Sequence, residues 1–475
     1  MKNFIASLKL RRSDLFLLIG FITFVPFLIF GQLFMQYPNP EEVAFPIWAI
    51  IPCFIVSAVM WGYYIYEEYK SGNMPHKYIS YIAIFIAFIG VLGVLIQPSS
   101  FVENVVVRQP SPDIYYHYVG YLAVVSLKIS MTHYVFFAMD ILLIVAFIYI
   151  GLFIFPKRFT SIKFIKYLGY AVFLLVIALL VYSVIFEHDL FVPFIKTLLG
   201  KNGEDANIYD YALKSFIIHR NAYGMALMIG IVFAFINHSI ENKWWYYLIA
   251  GLMFINMVFT YCKTGLLISA LLIVIYVVYR LIVTYKEHRK RNKTLFIVFA
   301  SLAILLIAVA GASYLTKGKV LSPLYGVINS ILGSGTLDTR AYIWDNSFQL
   351  LRNGWWIIGR GFGLYNEMLL PMNTVNGDPV FPAHSAYVGL LAEGGIFFLL
   401  TYIAFLGYSL YIIIRTYKKN PNLTIAISLG VLAFVLYSFI EAIQYLVYVF
   451  MFPIMILYHV SYLEENITTS DQPNN

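Results

Sequence analysis

From Leu15 to Phe34 the chain runs twenty residues without a charged side chain, and runs of this kind return along most of its length. The hydrocarbon core of a bilayer is about 30 Å thick and takes about 20 helical residues to cross. Within that core every backbone N–H and C=O needs a partner inside the protein, and a helix supplies one locally. Hydropathy places spans near 15–35, 46–66, 78–98, 133–155, 164–186, 216–237, 244–261, 264–284, 294–314, 386–414, 422–440 and 443–461. Charged residues are only 12% of the chain. Soluble domains carry roughly a quarter, so this chain cannot clothe a body in water. The expected fold class is an all-α polytopic membrane protein with about twelve transmembrane helices.

Charge and cysteine use exclude several function classes. The formal net charge is +8, but Lys and Arg sit in short connections between apolar runs rather than on one continuous face. No nucleic-acid partner is expected from that pattern. Cys53 and Cys262 are the only cysteines and form no C-x-x-C pair. No His, Cys and Asp cluster has metal-ligand spacing, so neither a metal nor another cofactor is expected. The first apolar run follows Lys2, Lys9, Arg11 and Arg12. It is too long for the apolar region of a signal peptide and is expected to stay as the first span.

The basic residues also orient the chain. With the N-terminus inside, short cytoplasmic loops fall at 67–77, 156–163, 238–243, 285–293 and 415–421, and together they hold fourteen Lys and Arg residues. Both termini are then cytoplasmic, and three longer segments lie outside: 99–132, 187–215 and 315–385. The last, 71 residues between the ninth and tenth spans, reads as a folded outer domain because its Trp, Tyr and Phe recur at helical spacing. The organisation expected is 1–210 for spans one to five, 211–314 for spans six to nine, 315–385 for the large outer loop, and 386–475 for the last three spans and a cytoplasmic tail.

Cations at the outer boundary carry the chemical information, since Lys or Arg within a span is costly. Arg220 opens the sixth span beside Asn221 and Gly224; it reads either as a snorkelling helix-end residue or as part of a close-packed pocket. Lys263 lies where two spans meet with almost no loop, against the positive-inside trend. Arg340 follows Asp338 and Thr339, either of which can cap a helix that carries Trp344, Phe348 and Leu351 on one stripe. In the first turn of that helix the free N–H groups favour an anion, and a guanidinium adds bidentate phosphate geometry. The alternative is a solvated surface arginine. Arg360 stands in the glycine-rich turn Gly359-Arg360-Gly361-Phe362-Gly363, which no strand–helix unit surrounds, so it is not a nucleotide loop. His384 lies at the start of the tenth span, with Glu393-Gly394-Gly395 following. An imidazole exchanges protons near neutral pH, which suits a general base.

Taken in order, His219-Arg220-Asn221, Lys263-Thr264-Gly265, Arg340 with Trp344, then Gly359, Gly361 and Gly363, and His384-Ser385 with Glu393-Gly394-Gly395 resemble the O-antigen ligase/polymerase family of membrane glycosyltransferases. The resemblance runs from about residue 215 to 400. It implies a C-type glycosyltransferase fold and a metal-independent transfer of glycan from undecaprenyl diphosphate to a sugar hydroxyl. By the same resemblance Arg220, Arg340 and Lys263 hold the diphosphate, His384 is the base, and Asn221, Trp344, Arg360 and Glu393 support them. Lys263 departs from the pattern, since relatives often carry Arg there; lysine binds phosphate as a point charge.

The leading expectation is a polymerase that joins lipid-linked repeat units into capsule, exopolysaccharide or O-antigen at a bacterial inner or plasma membrane. A chain-length regulator and a flippase are its expected partners. The nearest alternative is a ligase that moves finished glycan onto a lipid-A core sugar. A metal-dependent oligosaccharyltransferase would use an outer acid such as Glu41 or Glu42. A transporter or flippase would use an intramembrane charge, for which Asp140 is the candidate.

Overall fold

The computed structural model describes residues 11–36, 47–75, 77–110, 118–129, 131–155, 162–198, 208–215, 220–287, 338–369, 374–375, 378–379 and 384–440. The expected spans at 294–314 and 443–461, with Glu41, Glu42 and His219, lie outside them.

Helices α1 (Arg12–Gln36), α2 (Ile47–Lys70) and α3 (Lys77–Leu95) run where hydropathy places the first three spans. The next are α4 (Met131–Tyr149, continued by a wide turn over Ile150–Ile154) and α5 (Ile162–Phe186). A short helix α6 (Phe191–Leu198) precedes α7 (Arg220–Glu241), α8 (Trp245–Thr260) and α9 (Lys263–Glu287). The outer segment contributes α10 (Asp338–Leu350), α11 (Trp355–Ile358) and α12 (Leu364–Leu369), before α13 (Ala386–Tyr417) and α14 (Pro421–Ile440). Among the described residues, α3, α4, α5, α7, α9, α13 and α14 are long and apolar enough to cross a membrane.

The described residues are mostly helical, and two antiparallel hairpins interrupt them. Strands β1 (Ser100–Pro110) and β2 (Tyr118–Lys128) pair from Ser100 opposite Lys128 to Pro110 opposite Tyr118. A two-residue pair, β3 (Thr374–Val375) and β4 (Asp378–Pro379), lies between α12 and α13. The long hairpin occupies the first outer segment, to which hydropathy assigns no structure. Its local signal is the concentration of β-branched valines at positions 102, 105, 106, 107, 119, 124 and 125, which suit a pleated surface.

The chain divides into two compact units. Unit 1 comprises Met1–Phe164, Thr336–Lys419 and Ser438–Asn475. Its core centres on Trp61, whose ring meets Phe21, Phe24 and Phe147 edge-on or tilted at centroid distances of 5.1–6.3 Å. Gly20 of α1 leaves the space that the Trp61 indole fills. Thr23 and Ser57 share a 2.7 Å hydrogen bond across α1 and α2. Asp140 is buried in α4.

Unit 2 comprises Ile165–Gly335 and Asn420–Tyr437. Helix α7 is its axis and is buried on nearly every face. A helix apolar all round belongs at the centre of a bundle. At one end of α7, Glu241 is paired with Lys166 and, at 3.4 Å, with Lys243. The other end carries Arg220. A 22-residue helix rises about 33 Å, so these two charged groups stand at opposite ends of the unit.

Candidate functional site

The structure gathers the singled-out residues into two clusters, one in each unit. In unit 2, Arg220 is the first residue of α7 and Lys263 is the first of α9. Tyr261 ends α8 in a left-handed conformation, φ +49°, which turns the chain at once into Cys262 and Lys263. Cys262 is buried and wedged between two glycines. A Cβ on Gly224 of α7 would stand 2.6 Å from the Cys262 Cβ, and one on Gly265 of α9 would stand 3.0 Å from its Sγ. Small residues let membrane helices approach this closely.

That packing brings the start of α7 onto the α8–α9 turn. The Asn221 carbonyl lies 4.0 Å from Cys262 Sγ and accepts a 3.4 Å hydrogen bond from the Tyr437 hydroxyl. Tyr437 also stands 3.5 Å from Cys262 Sγ. Arg220, Asn221 and Lys263 therefore share one end of unit 2. The Lys263 ammonium lies 5.3 Å from the centre of the Tyr261 ring. The approach to α7 is fixed by Glu187, whose carboxylate accepts from the backbone N–H groups of Lys214 and Ser215 at 3.0–3.1 Å.

In unit 1, Arg340 is the third residue of α10, within its first turn as the capping pattern predicts. Its side chain lies outside what the structure describes. Of the stripe predicted through Trp344, Phe348 and Leu351, Leu351 is buried and the other two are not. Helix α10 buries Ile343, Asn346, Ser347 and Leu350, while Trp344 is half-buried and Phe348 is 49% exposed. The inward face is partly polar, so apolar periodicity alone finds only part of it. Tyr365 of α12 is buried and donates to Ser347. Burial, reinforced by the nearby Glu393 and opposed by the Ser347 bond, holds the Tyr365 hydroxyl above its ordinary value and so protonated.

The glycine-rich turn joins α11 to α12 against a break in α13. Gly395 takes φ +66° and ψ −161° inside α13, a conformation open to glycine alone. Beside this break the Ala392 and Glu393 carbonyls accept from outside the helix. Arg360 N–H reaches Ala392 O at 2.6 Å, and Gly361 N–H reaches Glu393 O at 3.0 Å. The contact leaves no room for side chains. A Cβ on Gly359 would land on the Glu393 carbonyl, and one on Gly395 on the Ile357 carbonyl. The end of α3 closes the third side, since a Cβ on Gly361 would stand 2.9 Å from Gly93 O. Gln97 donates to Gly93 O at 2.8 Å.

Arg360 is 3% exposed. Its Nε donates to Leu350 O at 2.6 Å, and its guanidinium lies 4.3 Å from the centre of the Trp355 ring. Glu393 is 1% exposed. His384 precedes α13 in a left-handed conformation, φ +46°, which few non-glycine residues adopt outside functional or turn positions. Ser385 is buried and donates to Ser438 O at 3.5 Å, and Tyr387 packs on Phe439 at 4.5 Å. Among the described residues, no three His, Cys, Asp or Glu side chains gather as a metal site would need.

Sequence reasoning missed Cys262, Tyr437, Glu187, Gln97 and Trp355. Only Cys262 had a local signal, as a small residue beside Lys263 in a loop too short for anything larger. Tyr437 and Glu187 act through contacts distant in sequence, and Trp355 and Gln97 through the way the turn at Arg360 and the end of α3 fold.

Comparison with curated proteins and with solved structures gives no match for either. A family model described as O-antigen ligase matches residues 248–403. That segment takes in Lys263, Arg340, Trp344, Arg360, His384 and Glu393, whereas Arg220 and Asn221 lie outside it, on the preceding helix. Residues 248–403 of this multi-pass membrane protein are thus similar to the O-antigen ligase family, a match that supports the O-antigen ligase/polymerase reading.

Proposed function

We propose that this protein is a polymerase that joins undecaprenyl-diphosphate-linked oligosaccharide repeat units into a cell-surface polysaccharide. It acts as a metal-independent glycosyltransferase on the extracytoplasmic face of a bacterial inner or plasma membrane, within a bundle of about twelve spans of the C-type glycosyltransferase kind. The observation that carries the reading is the shared end of unit 2, where Arg220, Asn221 and Lys263 stand together. The family match over 248–403 supports the enzyme class, and the concentration of Lys and Arg in the opposite loops supports the sidedness.

In this reading the acceptor hydroxyl oxygen attacks the anomeric carbon of the donor glycan. The bond from that carbon to the diphosphate oxygen breaks, and both electrons leave with the lipid diphosphate. His384 takes the hydroxyl proton as the new bond forms. Arg220, Arg340 and Lys263 meet the charge that builds on the leaving group, and fixed cations stabilise it without reorganising. Asn221, Trp344, Arg360 and Glu393 hold these groups in place. A flippase delivers the donor and a chain-length regulator sets the product.

Deletion of the protein, with the surface glycan run on a gel, tests the reading. A polymerase leaves single repeat units on lipid. Full-length polymer stranded on lipid identifies instead a ligase with a lipid-A core acceptor. Unchanged surface glycan rejects both.

A further inference from the structure

We propose that Arg360 is a positioning residue that latches the helix carrying Arg340 to the broken helix that follows His384; the inference rests on the glycosyl-transfer reading for the roles of those two residues. The latch has two halves in a single residue. The side chain serves α10: Leu350 is its last residue, and a helix-end carbonyl there has no donor from its own helix. Arg360 Nε supplies that donor at 2.6 Å, and a cation is favoured at this end of a helix. The backbone serves α13. Arg360 N–H and its neighbour's bond the Ala392 and Glu393 carbonyls beside the Gly395 break.

Burial and stacking separate this role from anion binding. Arg360 is 3% exposed, and its guanidinium lies over Trp355 at 4.3 Å. Its Nε is already engaged on Leu350. The glycines on either side close the joint, since no side chain fits at Gly359 against the Glu393 carbonyl. Arg340 lies ten residues before Leu350 on α10, and His384 lies two residues before α13 begins. A change at the latch therefore moves the two ends of the chemistry relative to each other.

The test uses the full-length protein in lipid nanodiscs with an undecaprenyl-diphosphate-linked repeat unit as donor. Arg360→Lys keeps the charge but loses the planar fork. It is expected to lower kcat about tenfold or more while the donor KM stays within about twofold, since a misplaced group weakens the reaction more than the binding. Trp355→Leu removes the ring beneath the guanidinium and is expected to act in the same direction. A rise in donor KM at constant kcat, or full activity in both variants, overturns the proposal.

Amide hydrogen exchange supplies a readout independent of turnover. In Arg360→Lys, peptides covering 346–352 and 390–396 are both expected to lose protection; loss in one alone overturns the coupling. If wild-type protein transfers no glycan yet both peptides respond together, the enzymatic reading fails while the latch stands.

Discussion

Gly224 of α7 and Cys262 of the α8–α9 turn pack so closely that a Cβ on the glycine would stand 2.6 Å from the Cys262 Cβ. This contact joins the Arg220 end of α7 to Lys263. Gly224→Leu is therefore expected to force the two apart. Overpacking of this kind costs about 1–3 kcal/mol, and surface polymer should fall at least tenfold. Gly251 on α8 has nothing within 4 Å of its Cβ position, so Gly251→Leu should leave polymer and protein level unchanged. Gel analysis of both strains checks the pair, and equal effects would show that the contact carries no special weight.

Gly354 and Gly359 hold nearly the same backbone angle, φ +88° and +85°, in different surroundings. A Cβ on Gly354 meets open space, whereas one on Gly359 lands on the Glu393 carbonyl. Gly354→Ala should lose only the left-handed preference, about 1–2 kcal/mol. Gly359→Ala meets a costlier backbone, since ψ is 176° there against −4° at Gly354, and adds the clash, so its thermal midpoint should fall well below that of Gly354→Ala in detergent. Equal midpoints would mean that the turn does not press on α13.

His384→Ala is expected to abolish chain extension, measured by gel, while membrane insertion and protein level persist. His384→Asn provides the stricter comparison. Asn tolerates the left-handed backbone but offers no base, so it too should be inactive. Normal polymer length in the Asn variant would remove the base assignment.

Arg340→Lys keeps a cation in the first turn of α10 and loses the bidentate fork. If the guanidinium grips a diphosphate, extension should drop by about 1–2 kcal/mol in transition-state terms, roughly five- to thirtyfold in kcat/KM. Arg340→Gln should lose more. A lysine variant as active as wild type would show that Arg340 supplies only charge.

The helical bundle was legible because lipid imposes a strict length and apolarity on every span. Ten of the spans read from hydropathy coincide with described helices, among them α7 from Arg220, α9 from Lys263 and α13 just after His384. The residue types of the candidate site were legible for a related reason, since a charge at a membrane boundary needs an explanation. The α10 face was read only in part, through Leu351, because its buried side also holds Asn346 and Ser347, which an apolar stripe search passes over.

The chain's own pattern thus determined where long apolar helices form and which cations sit at helix starts, because both follow from local transfer free energies. Tertiary structure alone decided that Arg360 is buried beneath a joint between α10 and α13, and that Cys262 is wedged between two glycines. Those outcomes depend on carbonyls beside a break at Gly395 and on contacts between residues more than thirty positions apart, and no local window of sequence carries either.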